Sequence, residues 1–398
     1  MAVGFTATAV VGGGASAGPQ ADTLAEPSTK KQMRSEDARM GADGTMPGMK
    51  IRAIAFQRHG GPEVLEDVEV EIPDRPAAGM VRVRTEAVAL NHLDLWTRRG
   101  LPGLKVQFPH RLGADIAATV DALGDGATAP PVGTRVLLAP AVSCGLCEAC
   151  ASGRDNLCRR YGILGEHTQG GYGELLDVPA ANVLPWPATL DLASSAALPL
   201  TFLTAWQMVV DRGEVSRDHT VLVHAAGAGV SVAAIQIAKL RGARVIATST
   251  SAAKLERARA LGPLGPDETI DTSTTDFVAE VKRLTGKRGV DVVIEHVGGE
   301  VFAKSILATT TGGRVITCGA TAGFTPALDL RHVFFRQLQV LGSTMGSRAS
   351  LFPILREVER GALKPIVDRV LPFTVEGARE AHRVLEAREA FGKVVLVR

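Results

Sequence analysis

Four of the five cysteines cluster as Cys144, Cys147, Cys150 and Cys158, a C-x2-C-x2-C-x7-C spacing. Thiolates this close in sequence can converge on one tetrahedral Zn²⁺ without a large scaffold. Gly145, Gly153 and the polar run Arg154-Asp155-Asn156 allow the loop to wrap round an ion. With all four positions filled by protein, none is left for water or substrate, so the expected zinc is structural. An iron–sulfur cluster and a metal-free group of thiols are the chemical alternatives. In a long chain without a convincing export signal, the clustering argues for metal rather than disulfides.

A second stretch, Thr220 to Thr250, carries a different chemistry. The apolar run Val221-Leu222-Val223 suits a buried parallel strand. The turn Ala225-Ala226-Gly227-Ala228-Gly229 follows, then a helical period from Val230 to Leu240, with Gly242 as its C-terminal stop. Arg244 to Thr248 is the next strand. The small residues of this turn, Gly227, Ala228 and Gly229 leading into Val230, let a pyrophosphate approach the main chain, and the free N–H groups of the helix N-terminus receive its charge. A strict G-x-G-x-x-G is absent, and a tight α/β turn without a ligand is the plain alternative. The two flanking strands favour the dinucleotide.

The elements that must hold these stretches fall into two kinds. From Met49 to about residue 200 the chain is β-rich, with strands expected at Lys50–Phe56, Val64–Ile72, Val81–Ala87, Arg135–Ala139 and Tyr172–Val178. Beyond it, strands alternate with helices: Asp291–Glu295, Arg314–Cys318 and Gln339–Leu341 read as buried strands, and Leu351–Arg360 as an amphipathic helix. The fold class is α/β. A length of 398 residues suits two or three domains. Residues 1–48 read as a disordered extension or an early start, with Met40, Met46 and Met49 as alternative starts. Ala2 to Ala17 lacks the basic segment of a signal peptide. The net charge of +2, from 44 basic and 42 acidic residues, gives no electrostatic case for nucleic acid or a membrane surface. No apolar run reaches the roughly 18 residues of a span. A cytoplasmic location is the expectation.

This order of elements resembles the medium-chain dehydrogenase/reductase superfamily over residues 49 to 398, and within it the zinc-binding, alcohol dehydrogenase-like proteins of the quinone oxidoreductase branch. The residues that carry the likeness are Asn91-His92-Leu93-Asp94 before Trp96, Arg98 and Gly100; Leu203-Thr204-Ala205-Trp206; and Gly392-Lys393-Val394-Val395. The resemblance implies a GroES-like catalytic domain at 49–200 and a doubly wound Rossmann domain at 201–346. Residues 347–398 would return to the catalytic domain, with the active site in the cleft between the two. It places Thr204 beside the nicotinamide, Gly319 and Ala320 beneath it, Ser343, Thr344 and Met345 near its carboxamide, and Lys393 at the cofactor. It also implies a homodimer or homotetramer.

The departures from the family matter as much. Its alcohol dehydrogenases hold a second, catalytic zinc with Cys, His and Cys; those positions fall here on Asn91, Ala114 and Leu200. Alanine and leucine cannot coordinate, and only a rebuilt set drawn from His92, Asp94, Asp115 and His167 would restore a metal. Without it, acceptors that spread the added charge, quinones and α,β-unsaturated carbonyls, are favoured over simple ketones or alcohols. Asn91, His92, Asp94 and Trp96 are the candidate catalytic residues, Asn91 as a donor to the substrate oxygen and Trp96 as an aromatic platform.

The second strand runs into Thr248, Ser249, Thr250 and Ser251 with Lys254 beyond, and no carboxylate stands before Glu256. Hydroxyls and an ammonium suit the 2′-phosphate of NADP(H), whereas a carboxylate would bind the ribose of NAD. A small-molecule substrate is expected. An unusual zinc alcohol dehydrogenase and a non-catalytic NADPH-binding protein are the other classes open.

Overall fold

The computed structural model describes residues 48–398, so the reading of 1–48 lies outside the described residues, save Gly48, which opens a strand. Alternation does its expected work there. Gly48–Ala55 pairs antiparallel with Glu66–Pro73, and every second residue of the latter is turned inward. The next strands build a seven-stranded sheet: Met80–Ala89, Asp115–Leu123, Arg135–Leu138 and Val183–Pro185 follow one another across it, and Leu175–Pro179 pairs with Met80–Ala89. Two strands from the far end of the chain, Val367–Pro372 and Lys393–Val397, complete that sheet. The chain therefore returns to its N-terminal half, and Lys393 begins the strand that makes the join.

A separate six-stranded parallel sheet forms from Thr220–Val223, Arg244–Ser249, Glu268–Asp271, Val290–Glu295, Thr309–Thr317 and Gln339–Gly342. Its spatial order is third, second, first, fourth, fifth, sixth, the doubly wound arrangement with a switch point between the first and fourth strands. Val221, Leu222 and Val223 are fully buried, as a run without alternation requires. The helix after the first strand spans Gly229–Leu240, and Gly242 ends it with φ of 79°. Glu268–Asp271 and the helix Phe277–Leu284 have no counterpart in the sequence reading. The strand is four residues long and three of them are polar, too short to show a period. Among the described residues no helix is long and apolar enough to cross a membrane.

The four-cysteine lobe is held by turns. Gly145 and Gly153 adopt φ of 72° and 71°, a region that favours glycine. The lobe is tied to the far side of the parallel sheet: Ser347 Oγ lies 2.7 Å from Asp155 Oδ1 and 2.6 Å from Gly153 O, and the Arg348 N–H donates to Asp155 Oδ1 at 3.0 Å. Asp155 is buried, so this joint is shielded from water.

Candidate active site

The sulfurs of Cys144, Cys147, Cys150 and Cys158 lie within 4.8 Å of one another, with Cys144–Cys150 at 3.8 Å and Cys147–Cys150 at 3.6 Å. A tetrahedral ion with Zn–S bonds of about 2.3 Å places its sulfurs about 3.8 Å apart. The main-chain N–H groups of Cys147 and Arg160 also point at Cys144 Sγ and Cys158 Sγ, both at 3.3 Å, which favours thiolate. The lobe fits a structural zinc. Among the described residues no other His, Cys, Asp and Glu group converges this way, so His92, Asp94, Asp115 and His167 do not assemble a second site.

The nucleotide loop is walled by residues far away in sequence. The Gly392 N–H donates to Gly227 O at 2.8 Å, and Ala228 and Gly392 form a β-bridge. A Cβ on Gly227 would come 2.7 Å from Lys254 Cδ and 3.3 Å from Phe391; one on Gly229 would come 3.0 Å from both Lys393 Cδ and Thr201 Cγ2. Glycine leaves room for this close approach at both places, and the helix N-terminus begins at Gly229, followed by Val230. Gly319 and Ala320 lie against His296 and Gly298 at the ends of the fifth and fourth strands. Among the described residues Ser343 has a buried hydroxyl without a partner, Thr344 is exposed, and Met345 turns back with φ of 51°. The Met345 sulfur lies 3.8 Å from Thr204 Oγ1, whose proton goes to Leu200 O at 2.8 Å. This cradle, with an unpartnered buried hydroxyl at one end, fits a dinucleotide.

Several side chains are committed differently from the sequence expectation. Thr248 is 2% exposed and its hydroxyl pairs with His224 Nδ1 at 2.9 Å, so it serves the interior and not a 2′-phosphate. Ser249 Oγ accepts from the Ser251 N–H at 3.1 Å, Ser251 Oγ accepts from the Lys254 N–H at 3.4 Å, and Thr250 faces water. Lys254 Nζ donates to Arg388 O at 2.6 Å. Asp94 is fully buried; its two oxygens take the N–H groups of Asn91 and Gly113 at 2.8 and 3.0 Å, and burial pushes its carboxyl up to about 6. It positions the loop and does not face the cleft.

Asn91 departs most from expectation. It stands at the N-cap position of the helix His92–Arg99, but its carboxamide is fully engaged. Nδ2 donates to Asp115 Oδ2 at 2.9 Å and to Ala89 O at 3.4 Å, and Oδ1 accepts from Lys393 Nζ at 2.6 Å. The same ammonium donates to Asp115 Oδ2 at 2.9 Å, and Asp115 Oδ1 takes the Leu200 N–H at 2.6 Å. Asn91, Asp115 and Lys393 are 7%, 0% and 4% exposed. The donor role expected of Asn91 is therefore spent inside the protein. The Asp115–Lys393 pair that replaces it had no local signal, since 278 residues separate the two. His92 sits beside Trp96, ring centres 6.3 Å apart. Burial, then the nearby His296, Arg388, Lys393 and Arg99, lower its pKa to about 4, so it is neutral near pH 7.

Comparison with known proteins agrees with this geometry. Residues 77–188 match the alcohol dehydrogenase GroES-like domain, and residues 229–360 match the zinc-binding dehydrogenase family. The chain is 27% identical over 361 residues to a quinone oxidoreductase of Homo sapiens, covering 88% of this chain and 99% of that protein. It is 29% identical over 359 residues to an NAD-dependent alcohol dehydrogenase of Saccharolobus solfataricus, covering 87% and 100%. A solved structure of an NAD-dependent alcohol dehydrogenase shares 53% identity with a TM-score of 0.83, over 87% of this chain and 99% of that one.

Proposed function

Since this chain belongs to the medium-chain dehydrogenase/reductase superfamily, among its zinc-binding, alcohol dehydrogenase-like oxidoreductases, we propose that it reduces conjugated acceptors. Hydride passes from NADPH to a quinone or to the β-carbon of an α,β-unsaturated carbonyl. The observation that carries this reading is the character of the three positions where the family's alcohol dehydrogenases hold a catalytic metal. Ala114 and Leu200 offer no ligand atom, and the Asn91 carboxamide is committed to Asp115 and Lys393. Such a cleft suits an acceptor whose own conjugation spreads the added charge. When bound, NADPH supplies the hydride. The chain's part is to hold the pyrophosphate at Gly227 to Val230, to keep Thr204 and Met345 against the nicotinamide, and to shield the reaction from water.

NADPH consumption against quinones, enones, aldehydes and alcohols, before and after mild chelation, tests this. Fast turnover of 1,4-benzoquinone or an enone, unchanged by chelator, is expected. Efficient, chelator-sensitive alcohol oxidation would establish the competing reading, which the likeness to the 53% identical NAD-dependent alcohol dehydrogenase favours. No turnover of any acceptor with excess NADPH would leave a binding protein.

The preference for NADP(H) over NAD(H) is supported by the end of the second strand, where Ser249, Thr250 and Ser251 stand in place of a carboxylate and Lys254 lies alongside. A homodimer is supported by the edge of the parallel sheet. Among the described residues Gln339–Gly342 has one unpaired edge, Val340 is exposed on it, and Phe324, Leu330, Phe334 and Phe335 are exposed in the segment before it. Sedimentation equilibrium should give twice the chain mass of 41.7 kDa; a monomer at micromolar concentration would rule the dimer out.

A further inference from the structure

We infer that the four-cysteine lobe is an oxidation-sensitive site. Hydrogen peroxide converts Cys147 and Cys150 to a disulfide, the lobe gives up its zinc, and the cofactor cradle loosens through Asp155. The last step rests on the reading of Ser343 to Met345 as one wall of that cradle.

The sulfurs meet the chemical requirement. A thiol that ligates zinc is held as thiolate, the form that attacks a peroxide. Cys150 Sγ lies 3.6 Å from Cys147 Sγ and 3.8 Å from Cys144 Sγ, so a sulfenic acid on Cys150 has a thiolate on two sides. Cys144, Cys147 and Cys150 are half-buried and Cys158 is buried. A hollow of about 480 Å³ lies against Cys144, Cys147 and Cys158, ample room for a molecule little larger than water. Cys150 Sγ attacks one peroxide oxygen, the O–O bond breaks, hydroxide leaves, and a sulfenic acid forms. Cys147 Sγ then attacks that sulfur, the S–O bond breaks, and a second hydroxide leaves. Two thiolates have lost two electrons, the peroxide has gained them, and both hydroxides take protons from solvent. Two ligands are then missing from a site that needs four.

Asp155 carries the change outward. It lies between Cys150 and Cys158 and is 5% exposed. Its Oδ1 lies 2.7 Å from Ser347 Oγ and accepts from the Arg348 N–H at 3.0 Å, and Gly153 O lies 2.6 Å from the same hydroxyl. Among the described residues no other hydrogen bond links residues 144–160 to the chain beyond residue 200. Gly346, between Met345 and Ser347, packs so closely on Leu203 that a Cβ would come 2.9 Å from its Cδ1. Leu203 precedes Thr204, which the Met345 sulfur approaches at 3.8 Å. The turn from Ser343 to Ser347 is thus held between the lobe on one side and the helix Pro199–Trp206 on the other. It loses one support when the lobe unravels. By linkage, whatever zinc contributes to cofactor affinity, the cofactor returns to zinc affinity.

Treating the zinc-loaded protein with hydrogen peroxide tests this, with zinc release, free thiols, far-ultraviolet circular dichroism and NADPH affinity as readouts. One zinc per chain should leave with the loss of two thiols. NADPH should bind about tenfold more weakly while the helical signal is kept. Dithiothreitol with added Zn²⁺ should restore both. Cys318→Ser should behave as wild type, because the fifth thiol takes no part. Ser347→Ala should lose zinc and thiols as readily, yet its NADPH affinity should change by less than about twofold on oxidation, the joint being already cut. Ser347→Thr keeps the hydroxyl and should keep the full effect. If Ser347→Ala does not fold, the coupling is read in wild-type protein, where saturating NADPH should make zinc about tenfold harder to extract with a chelator. Zinc release with unchanged NADPH affinity, four of the lobe's thiols still free after zinc has left, or an equal loss of affinity in Ser347→Ala overturns the inference. The cradle reading fails separately, as unaltered NADPH affinity of untreated Ser343→Trp.

Discussion

Replacing Cys147 with serine should lower the melting temperature by about 10 °C and abolish zinc binding at the four-cysteine lobe. The lobe from Cys144 to Cys158 consists of turns, one short helix at Glu148–Ala151 and one 3-10 turn at Asp155–Leu157. It has little apolar material of its own, since Leu146 and Leu157 are exposed, so metal binding and local folding are one event. Losing one of four ligands should cost about 5 kcal/mol, and a chain of this size loses roughly 2 °C per kcal/mol. The damage should spread through the buried Asp155, which holds Ser347 and Arg348 just beyond the cofactor wall at Ser343 to Met345. Weaker cofactor binding should therefore accompany the lower melting temperature. Elemental analysis should find one zinc per wild-type chain. Two tightly held zincs, or an unchanged melting curve after complete zinc removal, would contradict the assignment.

If the chain prefers NADPH as proposed, Lys254→Ala should weaken NADPH binding about tenfold or more and leave NADH nearly untouched. A charge-assisted hydrogen bond to phosphate contributes roughly 1.5–3 kcal/mol, and 1.4 kcal/mol is tenfold in affinity. The ammonium is 2.6 Å from Arg388 O, and its stem covers Gly227, so it stands at the border of the nucleotide loop. Burial lowers its pKa below the usual lysine range, while Asp368 acts the other way. Ser249 and Ser251 shape the turn beside it through their hydroxyls. Calorimetric titration of wild type and variant with both cofactors decides the matter. Equal affinity of wild-type protein for NADPH and NADH would remove the basis for the preference.

The features legible in the sequence were those encoded over short distances. The cysteine spacing needs only one loop to bring the sulfurs together, and Gly145 and Gly153 mark its turns. Val221–Val223, the small-residue turn and the helix from Gly229 announce their unit because periodicity and turn chemistry are local. Asn91, Ala114 and Leu200 could be recognised as departures because each replaces a residue type within its own motif. Short or polar elements such as Glu268–Asp271 left no such mark.

The direction in which each side chain spends its hydrogen bonds was decided only by the tertiary structure. Thr248 stands where a contact to the 2′-phosphate was expected, but the parallel sheet brings His224 beneath it and takes its hydroxyl. Asn91 looked like a free donor until the return of Lys393–Val397 to the first sheet placed Lys393, 302 residues away, on its oxygen. Asp115 was one of the residues from which a metal set could be rebuilt, yet it is the counter-charge of that lysine. A buried charge is tolerated only beside its partner, and partners so far apart in sequence meet only when sheets close. The chain's local patterns determine which elements form and which motifs they carry; the joining of the last strand to the first sheet determines which groups remain free to do chemistry.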